Sequence, residues 1–178
     1  MTKLVLASTS PARLRLLRDG GIEPVTISPG VDEDLITQNA IDAGEISNTQ
    51  DMVLLLARAK AEAVLNHPDA QGALIIGCDS SLDLDGESLG KPHEPEVAIE
   101  RWKSMRGRSG RLYTGHWLID NREHSTNPQA VGQATNTTVH FADLSDSEIL
   151  AYVGTGEPLK VAGAFTIDGL GGAFIRDR

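Results

Sequence analysis

KLVLASTSPARLRLLRDGG, residues 3–21, contains a strand, a turn and a helix in one run. Lys3–Ala7 is short and apolar, as a buried strand should be. Ser8, Thr9 and Ser10 break it, with Ser10 placed as helix N-cap and Pro11 at the first helical position. The helix runs on with Leu14, Leu16 and Leu17 turned inward, until Gly20 and Gly21 stop it. The same alternation of strand and helix continues outward. Residues 22–34 predict a short strand and a turn ending in the acidic run Asp32, Glu33, Asp34, and 35–50 are polar and weakly patterned, a loop. Over 50–66, Val53, Leu56, Ala57, Lys60, Ala61 and Val64 recur at helical spacing. ALIIG at 73–77 is a second buried strand that delivers Asp79 at its C-terminal end.

Beyond Asp79 the pattern predicts a hairpin over 81–89 turning on Asp85-Gly86, a helix over Pro95–Met105, and a turn at GRSGR. Extended segments follow at 112–120 and 131–142, where Thr135, Thr137, Val139 and Phe141 alternate as on one buried face. Ser145 and Glu148 have the spacing of a capping box for a short helix ending at Gly154. AGAFTIDGLGGAFI at 162–175 predicts two short strands around a tight turn. With no linker and no internal repeat, the expectation is a single α/β domain over 1–178 with a central mixed sheet.

Composition narrows the chemistry. Sixteen Lys+Arg against 25 Asp+Glu leave a net charge of −9, which argues against long nucleic acids as partners. A small phosphorylated ligand needs only a few local cations and remains open. Cys78 is the single cysteine, so an internal disulfide is excluded. The apolar run in MTKLVLAS is too short for a signal peptide, and no stretch reaches the roughly 20 apolar residues of a membrane span, so a cytoplasmic location is expected.

Four places can carry chemistry. Ser8, Ser10 and Arg13 combine hydroxyls, free N–H groups and a guanidinium at a helix N-terminus, which suits phosphate, although an ordinary helix cap needs the first two as well. Asp79, after a buried strand, suits a metal ligand or a proton acceptor, and equally a turn aspartate. Lys60, Lys91 and Arg58 are candidate phosphate cations, with Lys91 held in the constrained Gly90-Lys91-Pro92 turn; most lysines are simply solvated. Glu33, in an acidic run, can complete a metal site with Asp79, since hard cations take one or two carboxylates together with substrate phosphates. The five histidines lack zinc-site spacing. Neither a Gly-x-Ser-x-Gly elbow nor a P-loop is present. Trp102 and Trp117 read as packing residues.

In chain order, LVLASTSPARLRLL (4–17), VDE (31–33), LARAKA (56–61), IIGCDSSLDLDGESLGKP (75–92), GRSGRLYTGHWLI (107–119) and the block 141–175 resemble the Maf family of nucleotide pyrophosphatases. The resemblance implies an elongated, two-lobed α/β fold with a cleft, similar to inosine triphosphate pyrophosphatases, often as a homodimer. It implies hydrolysis of nucleoside triphosphates between the α- and β-phosphates, with a divalent cation such as Mg²⁺, Mn²⁺ or Co²⁺. Asp79, Glu33, Lys60 and Lys91 match the family's catalytic residues, and Ser8, Ser10 and Arg13 its phosphate-binding stretch. A link of the family to septum formation implies the alternative, a non-catalytic nucleotide-binding regulator of cell division. This chain departs in carrying Ala12 where many members have an arginine, and Asp168 where pyrimidine-preferring members have a glutamine, and it stops at Arg178 where relatives continue. An ionised carboxylate cannot donate to a base carbonyl as an amide does, so Asp168 is a substrate-binding candidate of open base preference.

Overall fold

The apolar run of β1 (Lys3–Ala7) buries its last three residues and gives way to hydroxyls, which cap α1 (Pro11–Asp19). The computed structural model describes residues 2–123 and 128–177; His124, one of the scattered histidines, lies outside them. The other elements are β2 (Val25–Ile27), α2 (Glu33–Asp42), α3 (Thr49–Ala63), β3 (Ala73–Leu84), β4 (Glu87–Leu89), α4 (Pro95–Met105), β5 (Ser109–Asn121), β6 (Gln129–Phe141), α5 (Asp146–Gly154) and β7 (Ile175–Asp177). Seven strands form one sheet in the order β2-β1-β3-β5-β6-β7, with β4 on β3. β1 is parallel to β2 and β3, whereas β3–β4 and β6–β7 are antiparallel, so the sheet is mixed. The chain divides into two compact units, 1–79 with 114–134 and 80–113 with 135–178. No helix among the described residues is long and apolar enough to cross a membrane.

In the first unit, α3 buries the residues its periodicity predicts: Val53, Leu56, Ala57, Lys60 and Ala61. Its close seat has a specific cause. A Cβ at Gly77 of β3 would collide with the Ala57 carbonyl and stand 2.8 Å from the Ala61 nitrogen, and one at Gly115 of β5 would strike the Val53 backbone. Small residues thus let helix backbone meet strand backbone, above a core of Val5, Ala7, Ile27, Val64, Ala73, Ile75 and Ile119.

Three expectations for this unit are corrected. Residues 33–42 are a helix and not loop: Asp32 caps it by accepting from the Leu35 N–H at 3.0 Å, and Glu33 and Asp34 complement its dipole. Its apolar signal is faint because only Ala40 is buried. Leu16 of α1 is 63% exposed, with Leu14 and Leu17 half-buried. β3 does not stop before Asp79 but continues to Leu84; what ends there is its parallel pairing with β1, whose last partners are Ala7 and Gly77.

In the second unit, Trp102 is fully buried, donates through Nε1 to the Ala164 carbonyl at 2.8 Å, and meets Phe141, Tyr152 and Phe174 edge-on. The β3–β4 hairpin turns on Asp85-Gly86, both at positive φ, and the Ser145–Glu148 capping box forms. β6 buries only Val139 and Phe141 of its alternating set, with Thr135 and Thr137 exposed. The glycine-rich tail forms 3₁₀ turns at Glu157–Lys160, Ala162–Ala164 and Leu170–Phe174, with strand only at Ile175–Asp177.

A carboxylate explains part of that difference. Glu157 accepts from the N–H groups of Leu170 and Gly171, each at 2.9 Å, and from the Tyr152 hydroxyl at 2.8 Å, so these amides are satisfied without a strand partner. Burial pushes the Glu157 carboxyl up, but these donors outweigh it and hold the carboxyl below its ordinary value. A depressed acid stabilises the fold above its unfolded pKa, and that contribution is lost as pH falls through the folded one. Glu157→Gln is therefore expected to cost about 2 kcal/mol at neutral pH. The gap to wild type should close on acidification, as read by urea melts across the carboxylate range; a pH-independent gap would refute the assignment.

Candidate active site

Asp79 lies two residues beyond the last β1–β3 pair, at the carboxyl end of the parallel strands, where α/β sheets collect ligands. The seat of α3 on Gly77 brings Lys60 beside it, with Nζ 2.6 Å from Asp79 Oδ1. The same ammonium stands 2.9 Å from Oε1 of Glu33, at the first turn of α2. Lys60 and Asp79 are buried, whereas the Glu33 side chain is 44% exposed, so the cluster opens toward solvent on the Glu33 side. Burial pushes the Asp79 carboxyl above its ordinary value and Glu33 adds to that; the charge and hydrogen bond of Lys60, with the more distant Arg13, pull it back. A carboxylate so raised is a better proton acceptor than one at the surface.

A second group in the same unit is built on the β1–α1 turn. Ser8 is buried, and its Oγ accepts from the Ser10 N–H at 3.1 Å and from Arg13 Nη1 at 3.3 Å. Ser10 Oγ caps α1 at the Arg13 N–H. The guanidinium is thereby folded back over the turn, close enough for its charge to act on Asp79 and on the neighbouring Cys78, whose thiol burial pushes up. Hydroxyls, a helix N-terminus and a cation converge there, the ingredients of a phosphate cradle.

The first unit therefore brings together Glu33, Lys60 and Asp79 by direct contact, with Ser8, Ser10 and Arg13 beside them. Lys91 and Asp168 belong to the second unit. Lys91 is exposed and makes no hydrogen bond or ion pair among the described residues. Asp168 is exposed too, and its N–H donates to Thr166 Oγ1 at 3.3 Å. Arg58, the remaining sequence candidate, is spent elsewhere: it pairs with Glu62 at 2.8 Å and lies over the Trp117 ring at 5.4 Å.

This order of blocks has a counterpart in known proteins. The profile described as "Maf-like protein" matches residues 3–178. The chain belongs to the Maf family. Proteins named nucleoside triphosphate pyrophosphatase are its relatives. That of Leifsonia xyli subsp. xyli is 54% identical over 98% of this chain and 81% of its own length. Those of Streptomyces avermitilis and Salinispora tropica are 49% and 50% identical, each over 97% of this chain and over 78% and 73% of their own. Among solved structures, a HAM1 protein from Coxiella burnetii aligns over 94% of this chain and 89% of its own at 16% identity and a TM-score of 0.39, a likeness too slight to carry an inference.

As a cation site this Maf protein offers a pair of carboxylates. Among the described residues no three His, Cys, Asp or Glu side chains stand together to hold a metal ion. Glu33 and Asp79 nevertheless share one bridging ammonium, and two carboxylates plus phosphate oxygens and water are what a hard divalent cation takes. The donor set fits such an ion once substrate supplies the rest. Sequence reasoning overlooked two things. The backbone contact at Gly77 that seats Lys60 has no local signal beyond a glycine in a strand. Arg101, which holds the turn carrying Lys91, lies among surface residues of an amphipathic helix and carries no signal at all.

Proposed function

We propose that this Maf protein hydrolyses nucleoside triphosphates to the monophosphate and pyrophosphate with a divalent cation. The observation that carries the reading is the Glu33–Lys60–Asp79 cluster at the parallel strand ends, beside the Ser8–Ser10 turn. Asp79 takes the proton from the water that attacks the α-phosphorus, as its burial and raised pKa favour. Lys60 and Arg13, with the Ser10 cap, hold phosphate oxygens and offset the charge that moves onto the leaving pyrophosphate. Lys91 adds a further cation to the phosphates, and Asp168 meets the base. Glu33 and Asp79 hold the cation, which supplies Lewis-acid neutralisation of the phosphate oxygens when bound. That the chain's relatives are named nucleoside triphosphate pyrophosphatase favours an enzyme over a passive nucleotide binder.

The test is pyrophosphate release from dTTP, UTP, CTP, ITP and modified nucleotides with Mg²⁺, Mn²⁺ or Co²⁺. Release that needs the metal and vanishes with a chelator is expected. A folded protein that binds nucleotide and releases nothing from any of them would overturn the reading.

A further inference from the structure

The Gly90-Lys91-Pro92 turn is held on both flanks while the lysine between is left without a partner among the described residues. Behind Lys91, the Gly90 carbonyl accepts from Arg101 Nη1 at 2.5 Å and from the Gly163 N–H at 3.1 Å. Ahead of it, Pro92 is buried and the His93 N–H donates to the Leu159 carbonyl at 3.0 Å, with His93 at φ +61° and the Glu94 N–H closing back on the Pro92 carbonyl. The backbone is thus pinned to the 3₁₀ turns at Glu157–Lys160 and Ala162–Ala164. Arg101 sits one residue before Trp102, whose indole is fixed to Ala164. Helix α4, those turns and the lysine turn therefore form one block, in which Arg101 supplies a side-chain hydrogen bond to the Gly90 carbonyl.

We propose that Arg101 is a positioning residue for the triphosphate reaction, acting through the Gly90 carbonyl to hold Lys91 in the conformation that meets phosphate. The proposal rests on the phosphate role given to Lys91 above. A charge-assisted hydrogen bond from a fork of fixed geometry orients its acceptor more firmly than the neutral Gly163 amide does. The lysine's four-carbon stem is flexible, so the order of its ammonium depends on the backbone that carries it. Removing Arg101 leaves the carbonyl satisfied by Gly163, and the effect falls on order more than on folding.

The experiment is a cycle of Arg101→Met, Lys91→Ala and the double variant in the full chain, with kcat/KM for pyrophosphate release, inhibition by inorganic tripolyphosphate, and thermal melts. Arg101→Met is expected to lower kcat/KM and to weaken tripolyphosphate inhibition by about tenfold each, the scale of one charge-assisted hydrogen bond. It should have little further effect once Lys91 is gone, and Arg101→Lys should recover part of the loss. If Lys91→Ala impairs the enzyme but Arg101→Met does not, or if the two losses multiply in full, positioning by Arg101 is overturned and the role of Lys91 survives. A fully active Lys91→Ala enzyme overturns both. Should Arg101→Met melt below the assay temperature, Arg101→Lys decides: a loss confined to the Lys91 background supports the proposal, and one equal in both backgrounds overturns it.

Discussion

Asp79→Asn is expected to reduce pyrophosphate release by about 10²–10⁴-fold, the range for loss of a general base, without unfolding the protein. The fold should survive because the change is isosteric and leaves Lys60 paired. The amide oxygen can accept from Nζ where the carboxylate now lies at 2.6 Å, and Glu33 remains at 2.9 Å. Breaking a buried ion pair is severe chiefly when it strands the other charge, and here Lys60 keeps a carboxylate. Relief of the burial that pushes the Asp79 carboxyl up offsets part of the lost attraction. The measurement is kcat beside a melting curve under the metal condition that best supports wild type. Turnover within threefold of wild type in a folded Asp79→Asn protein would remove Asp79 from the role of base.

Gly77→Ala should be, with Gly115→Ala, among the most damaging single methyls in the first unit. The added carbon would meet the Ala57 carbonyl and the Ala61 amide, which are helix backbone and cannot rotate aside. Overpacking of this kind costs typically about 1–3 kcal/mol, and the upper end is expected because the obstacle is main chain on both sides. Activity should fall by more than stability accounts for. Relief requires α3 to lift, and Lys60 is carried on that face between Ala57 and Ala61. A displacement near 1 Å at a reacting centre can cost about 10²-fold in rate. Melts and kcat at a temperature where the variant is folded separate the two effects. A variant with unchanged melting and full turnover would show that α3 does not depend on Gly77 for its seat.

Legibility followed the strength of the local signal. The β1 strand, the Ser10 cap, the buried face of α3, the Asp85-Gly86 hairpin and the Ser145 capping box are all written in short-range spacing, and the structure has each of them. α2 is not legible as a helix, because one that buries only Ala40 leaves little periodicity to detect. The tail at 162–175 reads in the sequence as two short strands around a tight turn. The hydrogen bonds that decide its shape come instead from the Glu157 carboxylate, 13 and 14 residues away in sequence. Thr135 and Thr137 obeyed the period of a strand but lie where neither neighbouring core covers them.

The α/β class and the family are legible from residue types in order along the chain, which also single out Glu33, Asp79, the two lysines and the Ser8–Ser10 turn as candidates. Tertiary structure alone decided that the Lys60 ammonium is shared by Glu33 and Asp79, 27 and 19 positions away along the chain. It alone decided that Arg58, two residues earlier on the same helix, turns to Trp117 and Glu62 instead. The physical reason is that a helix presents its residues in all directions, and which one enters the site is set by the strand it rests on. Here α3 rests its backbone against Gly77 and Gly115, whose missing side chains allow the close seat.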